Sequence, residues 1–328
     1  MTIPATMRAA VLHDYQGAAS ITIEQRPTPQ PKRGEVLVKI AASPINPSDQ
    51  MFIIGGYAFR RPLPTVPGFE ASGTIVAVGE GVDAGEWLGK RVACLAGDGD
   101  GTWAEYMATN VHACIPLNHA ISDEQAAMLL INPLTAWGMM DIARERGLKA
   151  IVQTAAAGAL GKMIIRLGQR WQIETINIVR REAQVDALHR LGAAHVLNSS
   201  TPTFKADLRE RCASLGAKLA FDAVGGVMTG EVLNAMPRGS SVMVYGGLSL
   251  EACAIQLGDL IFREKRVEGF YLSHWMRTGR MGEALADVYA TMDDFGSAVR
   301  ARYPLEMVAE ALADYAGDMS GGKVLIKP

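Results

Sequence analysis

Small residues recur at every third position in Ala155-Ala156-Ala157-Gly158-Ala159-Leu160-Gly161, directly after an apolar run and before helical sequence. That spacing suits one piece of chemistry. A pyrophosphate reaches backbone N–H groups at a helix N-terminus only where no side chain intervenes, and the last glycine lets helix and strand pack closely. Ala155, Ala157, Gly158, Ala159, Leu160 and Gly161 are therefore candidate dinucleotide contacts. The first glycine of the usual fingerprint is Ala155 here, and a tight strand–helix turn without a ligand is the competing account. NAD binders place an Asp or Glu roughly 20 residues beyond the glycines, for the ribose 2′-OH. This chain offers Arg180 and Arg181 there instead. Two guanidiniums suit bidentate capture of a 2′-phosphate, which favours NADPH. A solvated charge pair is the alternative, weakened because cations at a helix start oppose the helix dipole. Glu182 follows closely and keeps that alternative open.

Two textures of sequence must position these groups. Up to about residue 120, short alternating or β-branched runs sit between turn signals: Met7–Leu12, Ile21–Glu24, Glu35–Ala41, Gly73–Val78 and Arg91–Ala93, punctuated by Gly34, Gly79, Gly81, Gly85 and Gly89. They read as a β-rich domain with tight turns. Beyond that the rhythm becomes strand, helix, strand. Ser122 is a candidate N-cap with acids in the following turn. Strands are expected at 149–154, 173–179, 195–197, 218–224, 241–245 and 266–271, with helices at 158–171 and 182–191. Strands alternating with helices imply a doubly wound parallel sheet covered on both faces, so the class is α/β. The closing run Lys323–Lys327 returns to the first domain. The expected boundaries are 1–122 with 273–328 for the β-rich domain, and 123–272 for the dinucleotide-binding one.

Composition narrows the function. The 328 residues suit two domains, 49% hydrophobic and 20% charged residues suit a globular fold, and a net charge of −2 leaves no basic excess for nucleic acid or an anionic membrane. Cys94, Cys114, Cys212 and Cys253 are far apart with no Cys-x-x-Cys spacing, so free thiols and a cytoplasmic location are expected. The start lacks the pattern of a signal peptide. The longest uncharged stretch, Ala126–Met140, is too short to span a bilayer and is interrupted by Asn132-Pro133. No membrane partner is expected.

With these residues on the page, the chain resembles the medium-chain dehydrogenase/reductase superfamily along nearly its whole length. The resemblance is carried by Pro67-Gly68-Phe69-Glu70, Phe221-Asp222-Ala223-Val224-Gly225-Gly226 and Val244-Tyr245-Gly246-Gly247. It implies a split GroES-like catalytic domain and a Rossmann domain, with Val224, Tyr245, Gly246 and Gly247 as further cofactor contacts. Zinc-dependent members carry Gly-His-Glu where this chain has Gly68-Phe69-Glu70, and a Cys near Asn46. A phenylalanine cannot ligate a metal, so no metal is expected. Several local motifs resemble the NADPH-dependent 2-enoyl thioester reductases, including the mitochondrial type. They are Asn46-Pro47-Ser48-Asp49, Gly55-Gly56-Tyr57, Gly101-Thr102-Trp103-Ala104-Glu105, Ile131-Asn132-Pro133-Leu134-Thr135-Ala136, Thr175–Arg180 and Gly269–Trp275.

That resemblance implies hydride delivery to Cβ of an α,β-unsaturated thioester, a donor for the developing enolate, and a proton at Cα, with no metal required. Tyr57 matches the catalytic tyrosine, as proton donor or enolate-stabilising donor; a tyrosine merely packed on a glycine-rich loop is the alternative. Asn46 and Thr135 match polar positions near nicotinamide and substrate. Simple Asn-Pro turn formation and hydroxyl back-bonding to the helix account for them equally well. Phe270, Tyr271 and Trp275 wall an acyl pocket or are plain core. Arg60 and Arg61 meet the phosphates of a carrier arm or are solvated. Two other functions stay open: an NADPH:quinone or general enone reductase, and a non-catalytic, crystallin-like NADPH binder. By analogy a homodimer is expected through the sheet edge at Arg266–Tyr271.

Overall fold

The computed structural model describes residues 2–328, and the chain forms two compact units: 1–131 with 297–328, and 132–296. In the first unit, β1 (Thr6–Leu12) pairs antiparallel with β2 (Ile21–Pro27). The longer sheet is built on β3 (Glu35–Pro44), which pairs antiparallel with β4 (Glu70–Val78) and with β6 (Tyr106–Asn110). Strand β4 continues to β5 (Arg91–Leu95), and β5 to β7 (Cys114–Pro116). Alternation decides which face each strand buries: Val36, Val38 and Ile40 of β3 enter one core with Ile75, Val92 and Met107. A second core under β1 gathers Val11, Phe52, Phe69, Trp103 and Leu312.

The second unit carries the doubly wound sheet. Its strands are β8 (Ala150–Gln153), β9 (Glu174–Val179), β10 (His195–Asn198), β11 (Leu219–Asp222), β12 (Ser241–Val244) and β13 (Arg266–Gly269). All pair parallel, in the order β10-β9-β8-β11-β12-β13. The order reverses between β8 and β11, which makes the carboxyl end of β8 the topological switch point. The helix Ala159–Trp171 follows β8 there. Thr154 Oγ1 donates to Asp222 Oδ1 at 2.6 Å and accepts from the Ala223 N–H at 2.9 Å, fixing the ends of β8 and β11 to each other.

The chain then returns to the first unit with β14 (Val299–Pro304) and β15 (Lys323–Lys327), and β15 lies between β14 and β3. Both units were expected, but the compact units divide at Ile131/Asn132 and Gly296/Ser297 rather than at 122/123 and 272/273. Ser122 does cap a helix, accepting from Gln125 N–H at 3.2 Å, yet the helix is the single turn Asp123–Ala126. Glu124 in that turn receives Arg302 of β14, two 2.7 Å bonds that hold the turn in the first unit. Among the described residues no helix is long and apolar enough to cross a membrane.

Candidate active site

In the first unit the site is built around two consecutive residues at the head of β4. Gly68 precedes them with φ +96°, and a Cβ there would lie 2.2 Å from Thr102 Oγ1, so the turn of Pro67-Gly68-Phe69-Glu70 needs glycine. Phe69 packs against Tyr57, their ring centroids 4.8 Å apart at 35°. Phe59 closes edge-on against Tyr57 at 5.3 Å. Glu70, fully buried, accepts from Asn46 Nδ2 at 2.9 Å through Oε1. Its Oε2 accepts from the N–H groups of Ile131 (2.9 Å) and Leu130 (3.3 Å), the last residues before the chain enters the second unit. Asn46 and Tyr57 are thus gathered by neighbouring side chains, one through Glu70 and the other through Phe69.

Asn46 caps the helix Pro47–Ile53, and its own N–H donates to Asp49 Oδ2 at 2.7 Å. Its amide oxygen accepts from Lys323 Nζ, on β15. Asn46, Asp49, Glu70 and Lys323 are all buried. Burial pushes the Asp49 carboxyl up to about 7, with the Glu70 charge adding to the rise, and burial also raises Glu70 and lowers Lys323; the opposite charges of Glu70 and Lys323 offset part of each other's shift. Sequence reasoning singled out Asn46 and quoted Glu70 only as a motif letter. Asp49 likewise appeared only as a motif letter, and Lys323 was missed because nothing in the local pattern marks a lysine in an apolar strand as inward-facing.

The loop beyond Tyr57 corrects one expectation. Arg60 is exposed, donates to the Gly55 carbonyl at 3.1 and 3.2 Å, and lies over the Tyr15 ring. Arg61 is not solvated. Its guanidinium is buried against Phe52 at 5.2 Å and against Phe59 and Phe69 at 5.8 Å, and it donates to the carbonyls of Gly97 (2.9 Å) and Val66 (3.2 Å). A guanidinium so engaged is unavailable to a carrier phosphate; Arg61 packs the cage that backs Tyr57.

In the second unit the turn after β8 has the shape a pyrophosphate needs. Gly158 is the N-cap of the helix Ala159–Trp171, whose first turn offers its N–H groups there. A Cβ on Gly161 would fall 2.4 Å from the Ala156 carbonyl oxygen, so strand and helix touch as the fingerprint requires. Ala155 adopts φ +51°, a left-handed conformation that glycine would occupy at less cost. Ala157 is buried, and Leu160 lies in the first turn. Arg180 and Arg181 are exposed at the end of β9. Glu182, the acid that could have served a 2′-OH, accepts from Asn198 Nδ2 at 3.0 Å. Both backbone N–H groups of Arg180 and Arg181 donate to Gln184 Oε1 at 3.2 Å, which caps the next helix and fixes the two arginines' backbone. Val224, Tyr245, Gly246 and Gly247 sit beyond the ends of β11 and β12, where a Cβ on Gly246 would lie 2.8 Å from the Ala223 carbonyl oxygen. These residues fit a phosphorylated dinucleotide. The first unit does not fit a catalytic zinc. Asn46 spends its amide on Lys323 and Glu70, Phe69 offers no donor, and no three His, Cys, Asp or Glu side chains converge among the described residues.

Thr135 is buried on the helix Ile131–Glu145. Trp275 is buried too, packed on Trp137 at 5.7 Å and over Gly138, where a Cβ would come within 2.7 Å of the indole. Phe270 and Tyr271 are half-buried, with Tyr271 edge-on to His274 at 5.0 Å.

Comparison with known proteins bears on the family and the fold. The sequence profile of the alcohol dehydrogenase GroES-like domain matches residues 32–119, and that of the zinc-binding dehydrogenases matches residues 159–288. The human mitochondrial enoyl-[acyl-carrier-protein] reductase is 31% identical over 84% of this chain and 74% of its own length. A candidate NADPH:quinone reductase of Mesorhizobium loti superposes with a TM-score of 0.94 at 38% identity, covering 100% of both chains. A mycobacterial protein solved in complex with NADPH superposes with a TM-score of 0.85 at 25% identity, over 98% of this chain and 100% of its own.

Proposed function

This chain belongs to the zinc-free branch of the medium-chain dehydrogenase/reductase superfamily, a group of NADPH-dependent oxidoreductases, and from that premise we propose that it reduces the C=C bond of trans-2-enoyl thioesters. The observation that carries the reading is Tyr57, half-buried and seated on Phe69, the residue standing where a metal ligand would otherwise be. NADPH, when bound, supplies the hydride that reaches Cβ. Arg180 and Arg181 hold its 2′-phosphate, and the turn Ala155–Gly158 with the first turn of the following helix holds its pyrophosphate. The Tyr57 hydroxyl serves either as the proton donor to Cα or as the hydrogen-bond donor to the developing enolate oxygen. Thr135 and Asn46 orient the reacting groups. Phe270 and Tyr271 line the acyl path, and Trp275 backs it.

The second reading, an NADPH:quinone reductase, draws on the likeness over the whole chain to the Mesorhizobium loti protein. A quinone asks little of a proton donor, so the two separate experimentally. NADPH consumption is measured with crotonyl-CoA, a longer trans-2-enoyl-CoA and a small quinone, for the protein and for Tyr57→Phe. Thioester turnover that collapses in the variant supports the enoyl reductase. Turnover on quinone alone, indifferent to the substitution, replaces it with the quinone reductase.

The protein is further proposed to work in the cytoplasm as a homodimer. Support for the dimer comes from β13, the last strand of its sheet, and from apolar side chains left uncovered nearby: Leu257 at 70%, Ile261 at 63% and Phe262 at 74% exposure. Sedimentation at micromolar concentration as a single 35.1 kDa species would remove the dimer.

A further inference from the structure

We propose that Lys323 is a positioning residue for the reductase site: its buried ammonium dictates which way the Asn46 amide faces. The inference rests on the reductase reading for its kinetic arm. Lys323 carries only donors, and the Glu70 carboxylate carries only acceptors. Between them lies the Asn46 amide, and a single orientation satisfies both. Nζ donates to Oδ1, and Nδ2 donates to Glu70 Oε1 at 2.9 Å. Turned over, the amide would set NH2 against ammonium and carbonyl oxygen against carboxylate, in an interior where Asn46, Glu70 and Lys323 are all buried and either clash is costly.

The consequence reaches further than one rotamer. Asn46 opens the helix Pro47–Ile53, whose end leads into the loop that carries Tyr57. Glu70, whose carboxyl burial raises and the Lys323 charge draws back down, uses its other oxygen to fix the N–H groups of Leu130 and Ile131. Asp49, also facing this ammonium, takes the Asn46 N–H. Lys323 is 277 residues from Asn46, so the last strand of the chain sets the geometry of a residue near its beginning.

Lys323→Met keeps the aliphatic stem and removes the charge and all three donors. Glu70 is then an unpaired buried carboxylate, and the variant is expected to lose stability as well as turnover. Lys323→Met with Glu70→Gln removes both charges. A glutamine that keeps its oxygen on Leu130 and Ile131 must present NH2 to Asn46, so the Asn46 amide turns over. The double variant is expected to recover only part of the stability that Lys323→Met loses, since the turned amide's NH2 then meets a methionine side chain with no strong acceptor, while kcat stays down by about tenfold or more, since a small misplacement at a reacting centre can cost about a hundredfold. The NADPH dissociation constant is expected to stay within about twofold, because the dinucleotide residues belong to the other unit.

The same samples, labelled with 15N-asparagine, report the amide directly. The Asn46 side-chain pair, identified by its loss in Asn46→Ala, is expected to be well dispersed and slow to exchange in the parent and displaced in the double variant. Recovery of both stability and kcat, with the amide signals unmoved, overturns the proposal and leaves Lys323 a structural charge only. If the parent reduces neither thioester nor quinone, the reductase reading fails, and the amide signals still decide whether Lys323 sets the orientation of Asn46.

Discussion

The turn after β8 and the buried network around Asn46 are built by opposite means. The turn works with backbone: its groups are N–H donors, its side chains are small so as to stay out of the way, and seven consecutive residues, Ala155–Gly161, make it. The network works with side chains from positions 46, 49, 70 and 323, drawn from a helix start and two strands that are remote in sequence. A backbone site is written locally and tolerates any residue that is small enough. A side-chain site is written nowhere in particular until the chain has folded, and it tolerates almost no change of type.

The sharpest way to break this contrast is at Tyr57. Loss of a positioned proton donor costs about 10²- to 10⁴-fold, so Tyr57→Phe is expected to cut enoyl-thioester kcat by at least about a hundredfold while NADPH affinity holds. A fall in NADPH affinity of similar size would mean the two regions are not separable. Next in size, Arg180→Ala with Arg181→Ala is expected to weaken NADPH binding about ten- to a hundredfold, as a charge-assisted bond contributes about 1.5–3 kcal/mol. Titration with NADH should be unaffected, and equal losses for both cofactors would remove the 2′-phosphate assignment.

Asp49 sharpens the comparison through pH. Its folded value of about 7 lies above its ordinary value of 3.8, so the folded state holds this proton more tightly than the unfolded chain does. Its contribution to stability therefore falls as pH rises between those values, and the cost is complete above about 7. Asp49→Asn keeps an acceptor for the Asn46 N–H without the charge. The stability difference between parent and variant, followed by chemical denaturation from pH 4 to 8, should move in favour of the variant as pH rises; a flat difference refutes the assignment. The smallest effect belongs to the turn. Ala155 sits at φ +51°, and Ala155→Gly should relieve about 1 kcal/mol of strain and raise Tm by about 1–2 °C, with NADPH affinity unchanged.

How much of this was legible follows the same division. The strand–helix rhythm exposed the parallel sheet, since buried parallel strands read as short apolar runs between helices: KAIVQT became Ala150–Gln153 and IETINIV became Glu174–Val179. The run Lys323–Lys327 read as a strand of the first domain, with nothing in the local pattern to mark Lys323 as an inward charge. Strands Tyr106–Asn110 and Val299–Pro304 were not expected, having polar or charged residues at alternate positions and weak turn signals. The boundary at 122 failed because a good N-cap was present, and capping reports that a helix starts, not which unit it packs against. Arg61 read as solvated because burial of a guanidinium depends on three phenylalanine rings, two of them at least eight residues away in sequence, at Phe52 and Phe69.

The position of β15 between β14 and β3 governs the order in which the molecule is completed during synthesis. Residues 132–296 leave the ribosome as a full set of strands and helices, able to fold while translation continues. The earlier unit, although most of it has been made by then, must wait for the final residues to supply a strand near one edge of its sheet and the ammonium in its interior. Until Lys323 arrives, the carboxylates of Asp49 and Glu70 have water around them, and their burial is the last step in completing that unit.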